Sequence, residues 1–356
     1  MYAIKSLQNK LNNQEAAIIF SEVNRLYLTG FESSDGLLII LKNDVFLVLD
    51  SRYIGMARNA RKAGKIDSAI ILKEERFFTA LKEIVVQNDI NTVFFEDRRL
   101  IFSQYIELKN NFENIIFSPL GDFIEKLRMQ KSVSEIEKIK VAQKITETAF
   151  EHILNYIDKN KTEKEIVAKL EYYLKRCGAD GLAFETICVS GDNSALPHGK
   201  ACDRQLVNNS FLTLDFGAKF EGYCSDMTRT VFIGTPDEKQ KYMYETVLKA
   251  QNAAFNKIKA GVKGKEVDFA ARDYINNTEF FGLFGHSLGH SLGLEIHESP
   301  NFSPSNDTPV LKNSVLSVEP GIYKFGLYGV RIEDIVLVTD GGYINLTNAP
   351  KKLILL

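Results

Sequence analysis

Near its middle the chain reads Phe211-Leu-Thr-Leu-Asp-Phe-Gly-Ala-Lys-Phe-Glu-Gly-Tyr-Cys-Ser-Asp-Met-Thr-Arg-Thr-Val231. Two strand-like runs flank a turn that contains glycine, and this pattern predicts a β-hairpin. If the turn lies at Phe220-Glu221, Asp215 falls directly opposite Asp226. Opposed Cβ atoms lie about 4.5–5.5 Å apart, so the two carboxylates would repel unless a cation lay between them. The stretch therefore predicts part of a divalent-metal site, unless the turn lies elsewhere and one Asp faces solvent.

A second predicted hairpin, from Ser317 to Ile335, carries another acidic pair. A three-residue loop centred on Gly326 places Glu319 opposite Glu333. Both carboxylates lie in otherwise apolar runs, where burial is costly unless they are paired or bound to metal. The alternative is an edge strand whose carboxylates face water.

Histidine is rare in the chain, which has five, and four of them fall in two short stretches. His198 stands alone, and His286, His290 and His297 lie close together in a glycine-rich run. That run lacks the Lys-Ser or Lys-Thr of a phosphate-binding loop. A lone His is more often a core residue than a ligand. One imidazole with four carboxylates, however, is an oxygen-rich set that favours Mn²⁺ or Co²⁺ over structural zinc, and five ligands predict a pair of ions.

The composition indicates an ordinary globular protein of 356 residues, with 45% hydrophobic and 25% charged residues. A formal charge of −2 gives no electrostatic basis for binding nucleic acid or an anionic membrane. No run approaches about 20 apolar residues, and the N-terminus lacks the pattern of a secretory signal. The cysteines show no CxxC spacing, so we expect reduced thiols and a cytoplasmic protein. They are Cys177, Cys188, Cys202 and Cys224.

The first part of the chain, residues 1–122, alternates short apolar runs with amphipathic stretches. One pair of runs is joined by a tight turn at Asn43-Asp44. This order predicts a three-layer α/β domain with a mixed sheet. The predicted strands are Ala16–Phe20, Leu37–Leu41, Val45–Leu49, Ser68–Leu72, Thr92–Glu96 and Asn114–Phe117, and the predicted helices lie near Arg52–Ala63, Arg76–Gln87 and Leu100–Lys109.

The second part, residues 123–356, begins with signals for long helices. Ser132 and Ser134 each precede a glutamate by three residues, so either can form a capping box. Thr162 with Glu165 repeats the signal, and Gly178 is placed to end that second helix. We therefore expect two domains, residues 1–122 and residues 123–356.

Several stretches of the chain are distinctive when taken together. They are Asn24–Phe31, Ser34-Asp35-Gly36 and Asp50-Ser-Arg-Tyr53 in the first part, Arg128-Met-Gln-Lys-Ser132 with Glu135-Ile136 at the junction, and Ser190-Gly-Asp-Asn-Ser-Ala-Leu-Pro-His-Gly199 in the second part. These stretches resemble the pita-bread metallopeptidases, and specifically the proline-peptidase branch of aminopeptidase P and prolidase; the last is similar to the motif around the family's first active-site histidine. The resemblance implies an α/β creatinase-like N-terminal domain with a mixed sheet, followed by an α+β pita-bread catalytic domain.

The resemblance also implies the chemistry. Two divalent ions, with Mn²⁺ favoured over Co²⁺ or Zn²⁺, would be bridged by a hydroxide that attacks the Xaa–Pro bond of a peptide substrate. The protein would form a homodimer. The implied metal ligands are Asp215, Asp226, His290, Glu319 and Glu333. Glu319 would also move the proton, His297 would donate to the developing oxyanion, His198 would contact the substrate near the proline, His286 would shape the pocket, and Arg331 would orient a metal-bound carboxylate.

Two positions depart from the family pattern. Ser291 follows His290 where the family often has glycine, which we expect to be tolerated. Asn301 follows His297-Glu-Ser-Pro300, where several similar prolidases carry an Arg that holds the dipeptide's carboxylate. Without that clamp we expect an aminopeptidase that accepts longer peptides. The alternatives are a dipeptidase (prolidase) with the same site and a metal-free binding homologue.

Overall fold

The computed structural model describes residues 2–356 and divides into two compact units, which end and begin at Leu127 and Arg128. Each unit has its own hydrophobic clusters. The predicted domain boundary, after residue 122, lies in the turn just before the short helix Phe123–Met129. The division between the two compact units falls inside that helix, so the exact boundary stays a prediction.

The first unit is built on one six-stranded sheet. Its elements are α1 (Tyr2–Gln8), β1 (Glu15–Ile19), α2 (Glu22–Thr29), β2 (Leu37–Leu41), β3 (Val45–Leu49), α3 (Ser51–Lys62), β4 (Ile70–Glu74), α4 (Phe77–Gln87), β5 (Thr92–Phe95), α5 (Phe102–Asn111), β6 (Ile116–Pro119) and α6 (Phe123–Met129). The strand order is β4-β3-β2-β1-β5-β6. The pairs β1–β2 and β2–β3 are antiparallel and the other three are parallel, so the predicted mixed sheet is confirmed.

Successive side chains of β1 point to opposite faces of the sheet, and each face is covered by a different layer of helices. Ala17 and Ile19 join a cluster with Ile54 of α3, whereas Ile18 packs with Ile84 of α4 in a second cluster. Both faces of the sheet are therefore covered, which is why the central strands β2 and β3 are apolar throughout. The helices α1, α2 and α6 were not among the predicted elements, because seven or eight residues are too few to show a clear helical period.

The second unit combines two pairs of helices with short antiparallel sheets. Its elements are α7 (Val133–Leu154), α8 (Glu163–Arg176), β7 (Gly181–Leu182), β8 (Ile187–Ser190), a 3₁₀ helix (Gly191–Ala195), β9 (Ser210–Phe216), β10 (Ala218–Phe220), β11 (Tyr223–Cys224), β12 (Met227–Ile233), α9 (Glu238–Phe255), α10 (Gly264–Asn276), β13 (Gly289–Ser291), β14 (Glu298–Phe302), β15 (Val315–Val318), β16 (Gly321–Lys324), β17 (Tyr328–Arg331), β18 (Asp334–Val338) and β19 (Tyr343–Asn345).

Capping residues set the starts of the first two helices of this unit. Ser132, and not Ser134, is the N-cap of α7, and it forms the capping box with Glu135. Thr162 and Glu165 form the predicted box at α8, and Gly178 follows that helix with φ +107°. The helices α7 and α8 pack with β9 and β12 in one cluster, whereas α9 and α10 pack with β15 and β18 in another.

The hairpin from Phe211 to Val231 forms, but its predicted register is wrong. Asp215 pairs with Thr228, and Phe220 pairs with Tyr223, so the turn lies at Glu221-Gly222. Both turn residues have positive φ, 45° and 83°, and glycine is favoured at the second of two such positions. The pairing partner moves by two residues, which leaves Asp215 and Asp226 on the same face because side chains alternate with a period of two.

The second hairpin has the predicted register. Lys324 pairs with Tyr328 around a three-residue loop whose centre, Gly326, has φ +76°. The same register continues from β16–β17 into β15–β18, where Val318 pairs with Asp334. Glu319 and Glu333 therefore come next to each other at the point where the chain passes from one pair of strands to the other.

Among residues 2–356, no helix is both long and apolar enough to cross a membrane.

Candidate metal centre

Three of the five predicted metal ligands meet at one point of the second unit. Asp226, His290 and Glu333 each offer a ligand atom, and these atoms lie within 4.8 Å of one another. Asp226 lies just before β12, His290 is the middle residue of β13, and Glu333 lies just before β18. Separate strands thus bring together residues that are distant in sequence.

The hydrogen bonds of His290 fix which ring nitrogen can bind a cation. Its Nδ1 lies 3.2 Å from the carbonyl oxygen of Ser291, and because a carbonyl can only accept, Nδ1 carries the proton. Burial lowers the pKa of His290, so the ring is neutral and Nε2 presents a lone pair. Nε2 lies 3.5 Å from Asp226 Oδ2 and 3.4 Å from Glu319 Oε1. A lone pair that faces two carboxyl groups fits a site for a shared cation.

Glu319, the fourth predicted ligand, is held next to His290 by a serine. Ser317 Oγ donates to Glu319 Oε1 at 3.1 Å and accepts from the backbone N–H of His290 at 3.0 Å. Burial raises the pKa of Glu319 to about 7, with repulsion from Asp215 adding to the effect and Arg331 opposing it. A carboxyl group with a pKa near neutrality can both take up and release a proton under ordinary conditions.

Asp215, the fifth predicted ligand, is tied to the site by Arg331. The guanidinium donates to Asp215 Oδ2 at 2.6 Å through Nη2, and to Thr228 Oγ1 at 3.0 Å through Nε. Thr228 Oγ1 in turn donates to Glu333 Oε2 at 2.8 Å. Burial disfavours the charge of Arg331, but Tyr323 and Asp215 outweigh that effect and raise the pKa of Arg331 well above its usual value.

Three buried carboxyl oxygens of this cluster have no hydrogen-bond donor among residues 2–356, and they show whether the site suits a cation. Asp215 Oδ1, Asp226 Oδ1 and Glu333 Oε1 are buried and have no hydrogen-bond partner within the described part of the chain. Burial raises the pKa of Asp226 and Glu333 well above the usual range, and repulsion between neighbouring carboxyl groups adds to it. Buried acidic oxygens without donors are costly unless a cation satisfies them, so the residues present fit divalent metal ions.

His286 has both ring nitrogens occupied within the protein. Nδ1 lies 2.8 Å from the carbonyl oxygen of Ser287 and must donate to it, so Nε2 of the neutral ring accepts from the hydroxyl of Tyr323 at 3.0 Å. Tyr323 also accepts from Arg331 Nη1 at 2.9 Å. Burial lowers the pKa of His286 to about 4, with the charge of Arg331 adding to the effect. This chain of hydrogen bonds links His286 to the carboxylate of Asp215.

The two remaining histidines of the predicted site lie on exposed segments beside it. The ring of His297 packs edge-on against that of His290, with 4.3 Å between centroids. His198 lies near enough to interact electrostatically with His286, His297 and Glu319. His152, the fifth histidine, is exposed on α7, where it stacks on Tyr173.

Three site residues were absent from the sequence-based prediction: Thr228, Ser317 and Tyr323. Thr228 is two residues after Asp226, and Ser317 is two residues before Glu319. Alternation along a strand places such residues on the same face as the ligand, and this signal was available in the sequence. Tyr323 had no such signal, because its contact with His286 joins residues far apart in the chain.

Comparison with known proteins gives matches over nearly the whole chain. A family model described as metallopeptidase family M24 matches residues 137–340, and one described as the creatinase/prolidase N-terminal domain matches residues 4–130. An Xaa-Pro dipeptidase of Pyrococcus horikoshii is 35% identical over 348 residues, which are 96% of this chain and 95% of that protein.

Two solved structures are similar along their full length. An X-Pro aminopeptidase from Thermotoga maritima has a TM-score of 0.92 and 38% identity, covering 98% of this chain and all of that one. An Xaa-Pro dipeptidase from Bacillus anthracis also has a TM-score of 0.92, with 37% identity, covering all of this chain and 99% of that one. The chain therefore belongs to metallopeptidase family M24, with a creatinase/prolidase N-terminal domain before its pita-bread domain.

Proposed function

We propose that the protein is a metal-dependent aminopeptidase that hydrolyses the Xaa–Pro bond at the N-terminus of peptides. The cluster of buried carboxyl oxygens without hydrogen-bond donors, next to the free Nε2 of His290, is the observation that carries the proposal. The relatives named as Xaa-Pro dipeptidases and X-Pro aminopeptidases support proline peptides as the substrate class.

Two divalent ions would be held by Asp215, Asp226, His290, Glu319 and Glu333. The ligand set has four carboxylates and one imidazole, which supports Mn²⁺ as the ion, with Co²⁺ or Zn²⁺ as alternatives. When bound, such ions make water a nucleophile at neutral pH and polarise a carbonyl group, the two effects that peptide hydrolysis needs.

Glu319 is the group that moves the proton in this proposal. Its hydrogen bond from Ser317, which also binds the backbone N–H of His290, supports a carboxyl group held in a fixed position for proton exchange. The proton it accepts would be passed to the leaving nitrogen of proline. That nitrogen is tertiary in the peptide and needs a proton to leave as an amine.

The histidines and Arg331 position the substrate and the ligands. His297, which packs on His290 at the exposed side of the site, would donate to the developing oxyanion. His198 would contact the substrate near the proline. Arg331 fixes Asp215 and Tyr323 through hydrogen bonds, and His286 supports Tyr323 from the other side.

Asn301 favours an aminopeptidase over a dipeptidase. It pairs directly with His290 across β13 and β14, and directly opposed residues project from the same face. An Arg at this position could bind a free carboxylate in a bidentate manner, whereas Asn carries no charge. The dipeptidase alternative is supported by the names of several relatives, including the one from Pyrococcus horikoshii.

The test compares Xaa-Pro, Xaa-Pro-Yaa and Xaa-Ala-Yaa peptides with protein that has been stripped of metal and reloaded with Mn²⁺. We expect Mn²⁺-dependent cleavage, with Xaa-Pro-Yaa preferred. His290→Ala should lose bound metal and activity, whereas His152→Ala, which changes an exposed His of α7, should keep both. Full Xaa-Pro cleavage by His290→Ala with two metals bound would show that the site is assigned wrongly. A preference for the dipeptide would establish the alternative.

A further inference from the structure

A buried carboxylate outside the metal centre joins the two ends of the loop that carries His198. Glu163 is the first residue of α8 and has no exposed surface. Its Oε1 accepts from Ser190 N at 2.7 Å and from Ser190 Oγ at 3.1 Å. Its Oε2 accepts from Asn193 Nδ2 at 3.0 Å, from Cys202 N at 3.1 Å and from Cys202 Sγ at 3.3 Å. Ser190 and Cys202 are the two ends of the loop.

The middle of this loop is fastened to the metal-binding region by other contacts. Ser194 Oγ accepts from the backbone N–H of Gly329 at 2.9 Å, and the carbonyl oxygen of Pro197 accepts from Arg331 Nη1 at 3.1 Å. A Cβ at Gly329 would lie 2.3 Å from the carbonyl oxygen of Ser194, so the loop approaches β17 as closely as glycine permits. His198 directly follows Pro197. Its position therefore depends on the loop's ends as well as on its middle.

We propose that Glu163 is a positioning residue that fixes His198 by holding both ends of the 190–202 loop. The inference rests on the proposed function, in which His198 contacts the substrate. A purely structural role is the competing explanation, because a buried carboxylate with five hydrogen bonds also stabilises the fold.

The chemistry of the contacts makes Glu163→Gln a sharp probe. One backbone N–H donates to each carboxylate oxygen, from Ser190 on one side and from Cys202 on the other. The amide of Gln must place its NH₂ group against one of these two donors, whichever way it is turned. The substitution keeps the volume of the side chain, breaks the side chain's hydrogen bond to one end of the loop and removes the charge that faces Arg204 at 3.7 Å. The backbone pairing of Ser190 with Leu212 and the hydrogen bond from Lys164 N to the carbonyl oxygen of Cys202 remain, so the loop should loosen without unfolding. Glu165→Gln is the matched control, because exposed Glu165 caps the same helix with an oxygen that Gln retains.

The experiment is a double-mutant cycle with His198→Ala on an Xaa-Pro-Yaa peptide, using the Mn²⁺-loaded protein. We expect Glu163→Gln to lower kcat/KM by about tenfold or more, since small displacements of a positioning group are costly. In the His198→Ala background the same change should cost less than about twofold, since the residue through which it acts is gone. Glu163→Gln and His198→Ala should also alter the same parameter, kcat or KM, with metal content unchanged. Equal losses in both backgrounds would overturn the proposal.

Hydrogen exchange separates a failure of this proposal from a failure of the proposed function. Peptides that cover residues 190–202 should exchange faster in Glu163→Gln than in Glu165→Gln. Unchanged exchange would refute the proposal that Glu163 holds the loop, even if the wild-type protein cleaved no Xaa-Pro peptide. Should Glu163→Gln not fold, Asn193→Ala removes one of the five contacts, and it must show a smaller loss with the same dependence on His198. Absence of Xaa-Pro cleavage by the wild-type protein would overturn the role of His198 together with the proposed function.

Discussion

At the scale of single residues, adjacent carboxylates have opposite roles. Glu333 faces the metal centre and keeps one oxygen without a donor, whereas Asp334 faces the core and is satisfied by Arg229 at 2.8 Å and Lys351 at 2.6 Å. Both side chains are buried. The difference comes from alternation along the strand, which turns successive side chains to opposite faces. A buried acidic residue is thus a candidate ligand where one of its oxygens has no donor, as in Glu333, and not where donors satisfy both oxygens, as in Asp334.

Residue 301 should decide whether the enzyme prefers peptides or dipeptides. Asn301→Arg adds a guanidinium on the face that carries His290, where it can bind the free carboxylate of an Xaa-Pro dipeptide. We expect the ratio of kcat/KM for Xaa-Pro to that for Xaa-Pro-Yaa to rise by about tenfold or more, a change that competition assays with both peptides can measure. Asn301→Lys is the control, since it adds charge without a bidentate fork, and it should give a smaller rise. An unchanged ratio in Asn301→Arg would remove residue 301 from the specificity argument.

At the scale of elements, the two hairpins show what the sequence can predict. The loop centred on Gly326 was placed correctly because its glycine marks the one position with positive φ. The turn of the hairpin from Phe211 to Val231 was misplaced by one residue, because Glu221 adopts a positive φ that is uncommon for glutamate. The strands and longer helices were predictable from apolar periodicity. The hydrogen-bond chain through Tyr323 was not, because it depends on side chains from strands that only tertiary packing brings together.

Strand β12 should owe part of its stability to one buried arginine, which joins it to β18 and to residues 349 and 350. Arg229 is 1% exposed; it donates to Asp334 and to the carbonyl oxygens of Ala349 and Pro350 at 2.8, 2.9 and 3.1 Å. Arg229→Met keeps an unbranched apolar stem but removes the guanidinium. The two carbonyl oxygens lose this donor and Asp334 keeps Lys351 as its charged partner, a loss of buried contacts that costs roughly 3–5 kcal/mol. We expect the melting temperature of the second unit to fall by roughly 10 °C in circular dichroism.

The matched control for Arg229→Met is Arg176→Met, at an exposed position at the end of α8 in the same unit. An exposed arginine contributes about 1 kcal/mol or less, so its replacement should leave the melting temperature within a few degrees of the wild-type value. A fall of similar size in both variants would mean that the buried contacts of Arg229 add nothing specific to the stability of β12.

At the scale of the whole molecule, the predicted metal ligands are all contained in one of the two units. Asp215, Asp226, His290, Glu319 and Glu333 lie after residue 128, and the hydrophobic clusters of the first unit are built from residues before 128. A ligand that binds only the folded state stabilises the cooperative unit that contains its site. Metal binding should therefore stabilise the two units unequally.

Removal of metal should make this asymmetry visible by hydrogen exchange. At a metal concentration 100 times the dissociation constant, binding adds about 2.7 kcal/mol per site, so chelation should speed exchange roughly 100-fold for each ion removed, in amides that open with the whole second unit. Such amides lie in β9, β12, β15 and β18, whereas those of β1, β2 and β5 in the first unit should keep their rates. His290→Ala should show the fast pattern before any chelator is added. Equal acceleration in both units would mean that they unfold as one cooperative body, and unchanged exchange in both would show that the carboxylate cluster binds no stabilising ion.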